Sequence, residues 1–592
     1  MNSDPIVVLK FGSSVLTDET AVPRAVHEIY RWLRQGRRVV AVVSALGRTT
    51  DQLLARARSM AGAPEPAGLA ALLATGEATS AALLALALDC AGVPASLLDP
   101  WRVGLRTDGP LLDAEPRELN RRELFRALDE RPVAVLAGFI GQDGEGRTSL
   151  LGRGGSDLTA FFVAQRLGAE GCRLIKDVDG IYDRDPAGAG APRRYAALTW
   201  EDALRLGGKV VQPKAIRYAE RFGLAFEVSA AGAAAATVVG PGPTRFAVPP
   251  APAPPLKVVL LGLGTVGLGV YHHLAAQPDR FAVVGIAVRR PARHQGDGVP
   301  MDLLSSDPRA LVAADGDVVV EAIGGDRLAT ELVRSALDHG RDVVTANKAV
   351  VAGHGAELIA RAEARGGHFA FSATVGGGVP VIESIERVAR RGRIVAVEGV
   401  LNSTTNFVLD RIAAGCDLAA AVESAQANGF AEADPSNDLK GIDAAHKLVI
   451  VARAAFGADL TLDQVDCRGI DCIDPAEVRA VAAAGAVVRL IASCRRTPEG
   501  IAARVCPMRL AADHPLAQPR DEQNRILIQP EVGPAVIVDG KGAGRWPTAE
   551  SVMADLLDVH RLRRAAHAAE DEETALAPSA ARAWATGVPI GS

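Results

Sequence analysis

A strand that runs into Gly-x-Gly-x-x-Gly and then into a helix leaves few folds open to a chain. In LKVVLLGLGTVGLGVYHHL, Leu256–Leu274, the first residues are continuously apolar, as in a strand covered on both faces. Gly262, Gly264 and Gly267 follow, with Thr265 and Val266 opening the helix. The three glycines allow, in turn, a tight turn, close approach of backbone to a pyrophosphate, and close helix–strand packing. The free N–H groups and positive dipole end at the helix start suit a diphosphate. A glycine-rich turn alone is a common structural loop, but with this strand before it and helix after it, it implies a dinucleotide-binding unit. The next strand ends in Arg289-Arg290 with no acid, where NAD sites carry Asp or Glu for the ribose 2′-hydroxyl. Two arginines suit a 2′-phosphate, so NADP is expected, with NAD the alternative if these arginines only face solvent.

Just upstream lies GPGPTRFAVPPAPAPP, Gly240–Pro255, whose prolines fix φ and remove backbone donors. It reads as a stiff linker that joins neither sheet nor helix. Before it, β-like runs (Ile6–Phe11, Arg38–Ser44, Val133–Phe139, Arg173–Asp177) alternate with Ala/Leu-rich helical stretches, and after it the rhythm recurs (Lys257–Leu261, Val283–Val288, Val318–Ile323, Asp342–Thr345). The expected fold class is therefore α/β throughout. Residues 1–239 form a sheet sandwiched by helices and 240–255 the linker. Residues 256–380 form a Rossmann domain completed by 541–565, 381–540 an α+β substrate and dimerisation domain, and 566–592 a loose tail.

The 592-residue chain carries a net charge of −5 and shows no basic, aromatic-studded patch, so neither nucleic acid nor an anionic membrane is an expected partner. The apolar run Ala67–Leu88 is interrupted by Glu77, Thr79 and Ser80 and reads as a buried helix, not a membrane span. Met1–Pro5 leads straight into a strand, with no room for a secretion signal. Seven scattered cysteines without metal-site company read as buried thiols of a reducing cytoplasm. A cytoplasmic enzyme acting on small molecules, as a homo-oligomer (dimer or tetramer), is expected.

In the C-terminal half, Asp443 and Lys447 lie four apart in an apolar helical stretch and so share a face. A lysine beside carboxylates in a closed site can polarise a carbonyl and deliver a proton, although an isolated pair at this spacing is more often a surface ion pair. Glu432, Asp434 and Asp438 precede it in a proline-containing loop suited to an ammonium group. VVEAIGG (319–325), VVTANKAVVA (343–352), ATVGGGVPVIESI (373–385), LNSTTNFVLDRI (401–412), GFAEADPSNDLKGIDAAHKLVIVA (429–452) and GKGAGRWPTAESVMADLLD (540–558) occur in one order, and together they resemble the homoserine dehydrogenases. The resemblance implies reduction of aspartate semialdehyde with Lys447 and Lys348 as catalytic lysines. It implies Glu432, Asp438, Asp443 and Thr404 as substrate-binding residues, Thr345 and Asn347 as cofactor-binding residues, and a monovalent cation on backbone carbonyls near Val375 and Gly378. Two positions depart from the pattern: Ser403 replaces a usual Gly, and Ser372 a usual Glu.

In the N-terminal half, VVLKFGSSV (Val7–Val15) ends a strand in a small-residue turn bearing Lys10, able to cradle and neutralise phosphate. With VVSALGRTTDQL (42–53), TGEATSAALLA (75–85), LGRGGSDLTA (151–160), DVDGIYDRDP (177–186) and GGKVVQPKAI (207–216), it resembles the amino-acid kinases, and aspartate kinase in particular. The resemblance implies a Mg-ATP-dependent kinase in which Lys10 stabilises the transferring phosphoryl and Thr50, Glu77 and Arg153 hold aspartate. Ser156 and Asp157 share that turn, and Asp177, Tyr182 and Lys209 contact ATP. The turn is one residue shorter than usual, as in glutamate kinases, Lys176 stands where Thr is usual, and Ala187 where Arg is usual. A non-catalytic module, or a kinase for another small amino acid, is the alternative for this half. Aspartate kinases usually continue into paired regulatory domains. The residues between Gly240 and Lys257 are too few for one, so inhibition by threonine or lysine through such a domain is not expected.

Overall fold

The computed structural model describes residues 4–186, 188, 191–207, 210–233, 235–248, 254–428, 430–521, 523–542 and 545–576. In the N-terminal half the strands lie side by side in the order Arg245–Phe246, Tyr195–Leu198, Thr237–Val239, Phe226–Ala230, Gly171–Lys176, Ile6–Phe11, Arg38–Val43, Val133–Ala137, Ala95–Leu98. From Phe226–Ala230 to Ala95–Leu98 every pairing is parallel. IVVLKF and RVVAVV are buried along their whole length, as central parallel strands must be when helices cover both faces. Helices Val22–Arg34 and Pro66–Cys90 pack on one face, and Gly155–Leu167 and Pro213–Arg221 on the other. Pro66–Cys90, which contains the apolar run, is long and apolar enough to cross a membrane, yet half of its most apolar window is buried inside the fold.

The proline-rich segment is not free of sheet structure. Arg245–Phe246 adds an antiparallel edge strand to Tyr195–Leu198, and the Phe246 ring stacks on Tyr195 with centroids 4.4 Å apart. Residues 244–248 contain no proline, and an edge strand needs ladder bonds on one side only, so the flanking prolines do not prevent the pairing.

After the linker, six strands pair in parallel in the order Leu304–Ser305, Phe281–Ala287, Leu256–Leu261, Val318–Glu321, Asp342–Thr345, Phe369–Ala370. Numbered along this half, the order is 3-2-1-4-5-6, which reverses direction beside Leu256–Leu261 and opens a crevice at the carboxyl ends of the strands. A second, mainly antiparallel sheet follows: Asp466–Cys467, Gly500–Ala511, Ala486–Thr497, Ile394–Val400, Gln523–Pro530, Val536–Lys541. Helix Ile442–Phe456 joins the core on this sheet through Leu448, Val449 and Val451.

The last helix, Arg545–Leu576, returns to the Rossmann layer, where Val552, Met553 and Leu556 pack with Val270 and Leu274. It continues past the boundary at 565 where a loose tail was expected, because HAAEDEETAL is built from alanine and glutamate, which favour helix. Residues 577–592 of that expected tail lie outside the described residues. All seven cysteines are free, but only Cys172 and Cys494 are buried, while Cys90, Cys467 and Cys472 are exposed. The expectation of buried thiols therefore fails for those three: Cys90 ends helix Pro66–Cys90, Cys467 lies on the outer strand Asp466–Cys467, and Cys472 lies in a turn.

The two halves are packed together. Ala554 of the last helix belongs to the N-terminal core. Arg34 is paired with Asp555 at 2.6 Å, Glu383 at 2.8 Å and Asp558 at 3.1 Å. Ser372 lies in this seam: its amide donates to Asp555 at 3.0 Å and its hydroxyl is 3.4 Å from Arg34.

Candidate active sites

The glycine turn after Leu256–Leu261 has the division of labour expected of it. Gly262 has φ +100°, and a Cβ there would lie 2.6 Å from the Ala322 carbonyl oxygen. A Cβ on Gly267 would meet the Gly262 oxygen at 2.1 Å, so that glycine allows the helix to lie against the strand. A Cβ on Gly264 would meet nothing within 4 Å, so what it keeps clear is open space at the N-terminus of helix Thr265–Ala275. This cradle fits a dinucleotide's pyrophosphate. On the adjoining strand ends, the Thr345 hydroxyl donates to buried Glu321 at 2.6 Å, and Asn347 Nδ2 donates to the Gly325 carbonyl at 2.6 Å. Burial raises the Glu321 carboxyl above its ordinary range, against the hydrogen bond from Thr345. Glu321 lies within the VVEAIGG motif, but nothing in the sequence marks it as the anchor of Thr345. Arg289 and Arg290 are exposed just beyond the strand Phe281–Ala287, and neither side chain is held by a partner among the described residues.

Beyond the ends of these strands, Asp443 lies between two lysines. Lys447 Nζ is 2.7 Å from its Oδ2, one helical turn away, and Lys348, the first residue of helix Lys348–Glu363, pairs with Oδ1. Asp443 and Lys447 are 6% and 7% exposed, which removes the surface-pair reading of this spacing. Lys447 also donates to the Leu401 carbonyl at 2.7 Å. Asn402 joins the acids: its Nδ2 donates to Asp438 at 2.7 Å and to Asp443 at 3.0 Å, while its Oδ1 caps helix Ser403–Ala413 by accepting from Thr405 N. Thr404 donates within 3.1 Å of Asp438 and 2.6 Å of the Phe430 carbonyl. Burial opposes charge on Asp443, but the Lys447 and Lys348 ammoniums outweigh it and hold the carboxyl far below the usual range. Burial, with Lys348 nearby, lowers Lys447 despite Asp443. Lys348 is 45% exposed along its side chain, and Asp443 overcomes its desolvation and raises it. Glu432 is exposed and outside this network of hydrogen bonds, although its charge reaches Lys348. Asp434 is occupied in capping Ser436.

Val375 is buried, Gly378 N donates to the Lys541 carbonyl at 3.3 Å, and the Gly377 carbonyl accepts from Ser551. Two carbonyls of the expected cation loop are thus already engaged, that of Gly376 by Val379 N at 3.0 Å and that of Gly377 by Ser551.

In the N-terminal half, Lys10 ends up buried on its central strand, 2.7 Å from Asp157 of helix Gly155–Leu167. Lys176, at the end of the next strand, reaches the other oxygen of Asp157 at 3.3 Å. Two ammonium groups therefore converge on one carboxylate beside the small-residue turn. Burial lowers Lys10 to about 8, with Lys176 adding to the effect and Asp157 opposing it. Glu77 projects from Pro66–Cys90 with one oxygen, Oε2, buried and without a partner among the described residues, and burial pushes its carboxyl up to about 7. Lys10, Asp157 and Glu77 are brought together with Lys176, which the sequence marks only as a departure from the family pattern. Thr50 is half-buried on the neighbouring helix, and Arg153 and Asp177 are exposed. The Tyr182 hydroxyl donates to Asp179 at 2.6 Å. Lys209 and Ala187 lie outside the described residues.

Family models agree with this division. "Homoserine dehydrogenase" matches residues 380–557, "Homoserine dehydrogenase, NAD binding domain" matches 262–372, and "Amino acid kinase family" matches 5–226. The homoserine dehydrogenase of Corynebacterium glutamicum is 39% identical over 325 residues, covering 52% of this chain and 73% of that protein. That of Pseudomonas aeruginosa is 39% identical over 319 residues, with the same coverage of 52% and 73%. A crystal structure of the homoserine dehydrogenase from Thiobacillus denitrificans superposes with a TM-score of 0.51 at 36% identity, over 53% of this chain and 75% of that one.

Proposed function

The chain belongs to the homoserine dehydrogenase family and carries an amino acid kinase domain ahead of it, and from that premise we propose how its residues divide the work. In the C-terminal half, aspartate semialdehyde binds against the cluster around Asp443, its ammonium held by Asp438 and Glu432 and its position fixed by Thr404. The nicotinamide supplies the hydride when bound. Lys447 faces the carbonyl oxygen, stabilises charge developing there and delivers the proton, while Lys348 assists and Asp443 holds both ammoniums in place. The observation that carries this reading is one buried carboxylate shared by two lysines from different helices. The turn Gly262–Gly267 with Thr265 and Val266 holds the diphosphate, Thr345 and Asn347 line the nicotinamide end, and Arg289 and Arg290 favour NADPH. A monovalent cation sits on carbonyls near Val375 and Gly378.

In the N-terminal half, the acceptor is aspartate and the donor Mg-ATP. Lys10 and Asp157 stand at the transferring phosphoryl. Glu77, Thr50 and Arg153 hold the amino acid, and Asp177, Tyr182 and Lys209 the nucleotide. An assembled lysine–aspartate pair beside a buried glutamate with one oxygen left unpartnered among the described residues supports catalysis over a purely structural module. The test is to incubate the full chain with ATP, Mg2+ and aspartate and trap the acyl phosphate with hydroxylamine. Hydroxamate that depends on Lys10 supports the kinase. No hydroxamate with any of a panel of small amino acids refutes it. The chain acts in the cytoplasm and as a homo-oligomer; the half-exposed Ile537 on the outer strand Val536–Lys541 supports the oligomer, which sedimentation tests.

A further inference from the structure

Three helices that belong to different parts of the fold bring two imidazoles and a carboxylate to one point in the seam between the halves. His27 comes from Val22–Arg34, His273 from Thr265–Ala275 and Glu550 from Arg545–Leu576. One nitrogen or oxygen from each lies within 4.8 Å of the others. We propose that His27, His273 and Glu550 bind a zinc-class divalent cation that ties the kinase half to the dehydrogenase half.

Two observations beyond proximity favour a ligand here. His273 Nε2 is buried and has no hydrogen-bond partner among the described residues, an unfavourable arrangement for a buried polar atom unless something else binds it. The rings of His27 and His273 stand edge to face with centroids 4.8 Å apart, and His27 Nδ1 already points at Glu550 Oε1. Two nitrogens and one carboxylate oxygen are the donor set of zinc and its neighbours, whereas Mg2+ prefers oxygen alone. Ligands ~2.0–2.2 Å from a tetrahedral ion stand roughly 3.3 Å apart, so the cluster, up to 4.8 Å across, must contract by about 1.5 Å at its widest. A cavity of 190 Å3 alongside His27 and Glu550 leaves room for a water as the fourth ligand. Arg31, Arg34, Arg387, Arg390 and Arg561 also line that cavity; all but Arg387 are paired with carboxylates, Arg31 with Glu28, Arg34 with Glu383 and Asp558, Arg390 with Glu386 and Arg561 with Asp558.

The test uses the full chain, stripped with EDTA and kept in excess Mg2+, titrated with ZnCl2 and, for its spectrum, with CoCl2. We expect one Zn2+ per chain, a rise in thermal midpoint, and cobalt bands of a nitrogen and oxygen site without thiolate charge transfer. His273→Ala should weaken binding at least about tenfold and abolish the thermal shift. Homoserine oxidation, retained in this variant, reports that it folds, and Glu550→Gln should repeat the loss independently. No binding by the wild-type chain, equal binding by both variants, or a cobalt spectrum dominated by thiolate would overturn the proposal, the last by pointing to the exposed cysteines.

Discussion

Replacing Lys447 with alanine separates chemistry from stability in a way that the surrounding contacts make quantitative. The substitution removes the ammonium 2.7 Å from Asp443 and its hydrogen bond to the Leu401 carbonyl. Losing one partner of a buried ion pair ordinarily costs about 3–5 kcal/mol, because a buried charge is left uncompensated. Here Asp443 keeps Lys348 and the amide of Asn402. The stability loss should therefore fall below that range, on the order of 2 kcal/mol. The rate has no such reserve if Lys447 is the group facing the carbonyl, and loss of a donor at a developing oxyanion costs about 10²–10³-fold in kcat. Asp443→Ala should behave differently. It leaves buried Lys447 facing half-exposed Lys348 without their shared carboxylate, so both stability and rate suffer, with stability down by about 3–5 kcal/mol. Homoserine oxidation followed at saturating NADP, beside chemical denaturation of the same preparations, gives both quantities. Near-wild-type kcat in Lys447→Ala, or a larger stability loss there than in Asp443→Ala, would refute the assignment.

Three further outcomes follow from the same geometry. In the kinase half, kcat/KM should rise as Glu77 ionises through about 7 and fall as Lys10 loses its proton through about 8. A flat profile between about pH 6 and about pH 9 would remove these groups from the free enzyme's pH dependence. Glu77 ionises near 4.5 when unfolded and near 7 when folded, so the native state gains stability from its proton below 4.5 and loses it as the pH climbs to 7. Glu77→Gln should consequently gain stability over wild type between about pH 5 and about pH 8, by up to roughly 3 kcal/mol, and a pH-independent difference in denaturation midpoint would contradict this. Changing Arg289-Arg290 to Asp-Ala should raise the KM for NADPH far more than that for NADH, and an unchanged ratio of efficiencies would put the 2′-phosphate elsewhere.

The parts of this molecule that are legible in sequence are those where local pattern and tertiary role coincide. Leu256–Leu261 and the glycines after it specify a strand, a turn and a helix with no help from elsewhere, and the 3-2-1-4-5-6 order follows from repeating that unit. Asp443 and Lys447 share a helix face, so their pairing can be read from spacing. Lys348 and Lys176 are different. Each reaches its carboxylate from a distant segment, Lys348 across 95 positions and Lys176 across 19, and only the fold brings the charges together. Glu321 is hidden for a related reason: an acid at a strand end reads as solvated until Thr345 and Asn347 are seen to donate to it. The edge strand Arg245–Phe246 escapes a reading that averages proline content over the segment, because pairing depends on the few residues between prolines.

The seam between the halves is not legible at all, and it changes what the linker means. A proline-rich connection suggests two bodies that unfold separately, since interfaces within a chain are often small enough to permit it. Yet Ala554 sits in the N-terminal core, and buried Arg34 faces three carboxylates of the C-terminal half. Asp555 is only 1% exposed, and its burial already raises its carboxyl even with Arg34 beside it. Removing Arg34 leaves buried Asp555 to ionise without its cation, at a cost of about 3–5 kcal/mol. That cost is largest at high pH, where Asp555 must carry its charge, and is relieved at low pH, where it takes up a proton. The intact chain should therefore melt in a single calorimetric transition at pH 8, and Arg34→Met should split that transition in two, with kinase and dehydrogenase activities lost at different temperatures. Lowering the pH should bring the two transitions of the variant back together. If Arg34→Met melts as one unit at the wild-type temperature, the ion cluster does not join the halves, and the apolar contact around Ala554 alone must hold them.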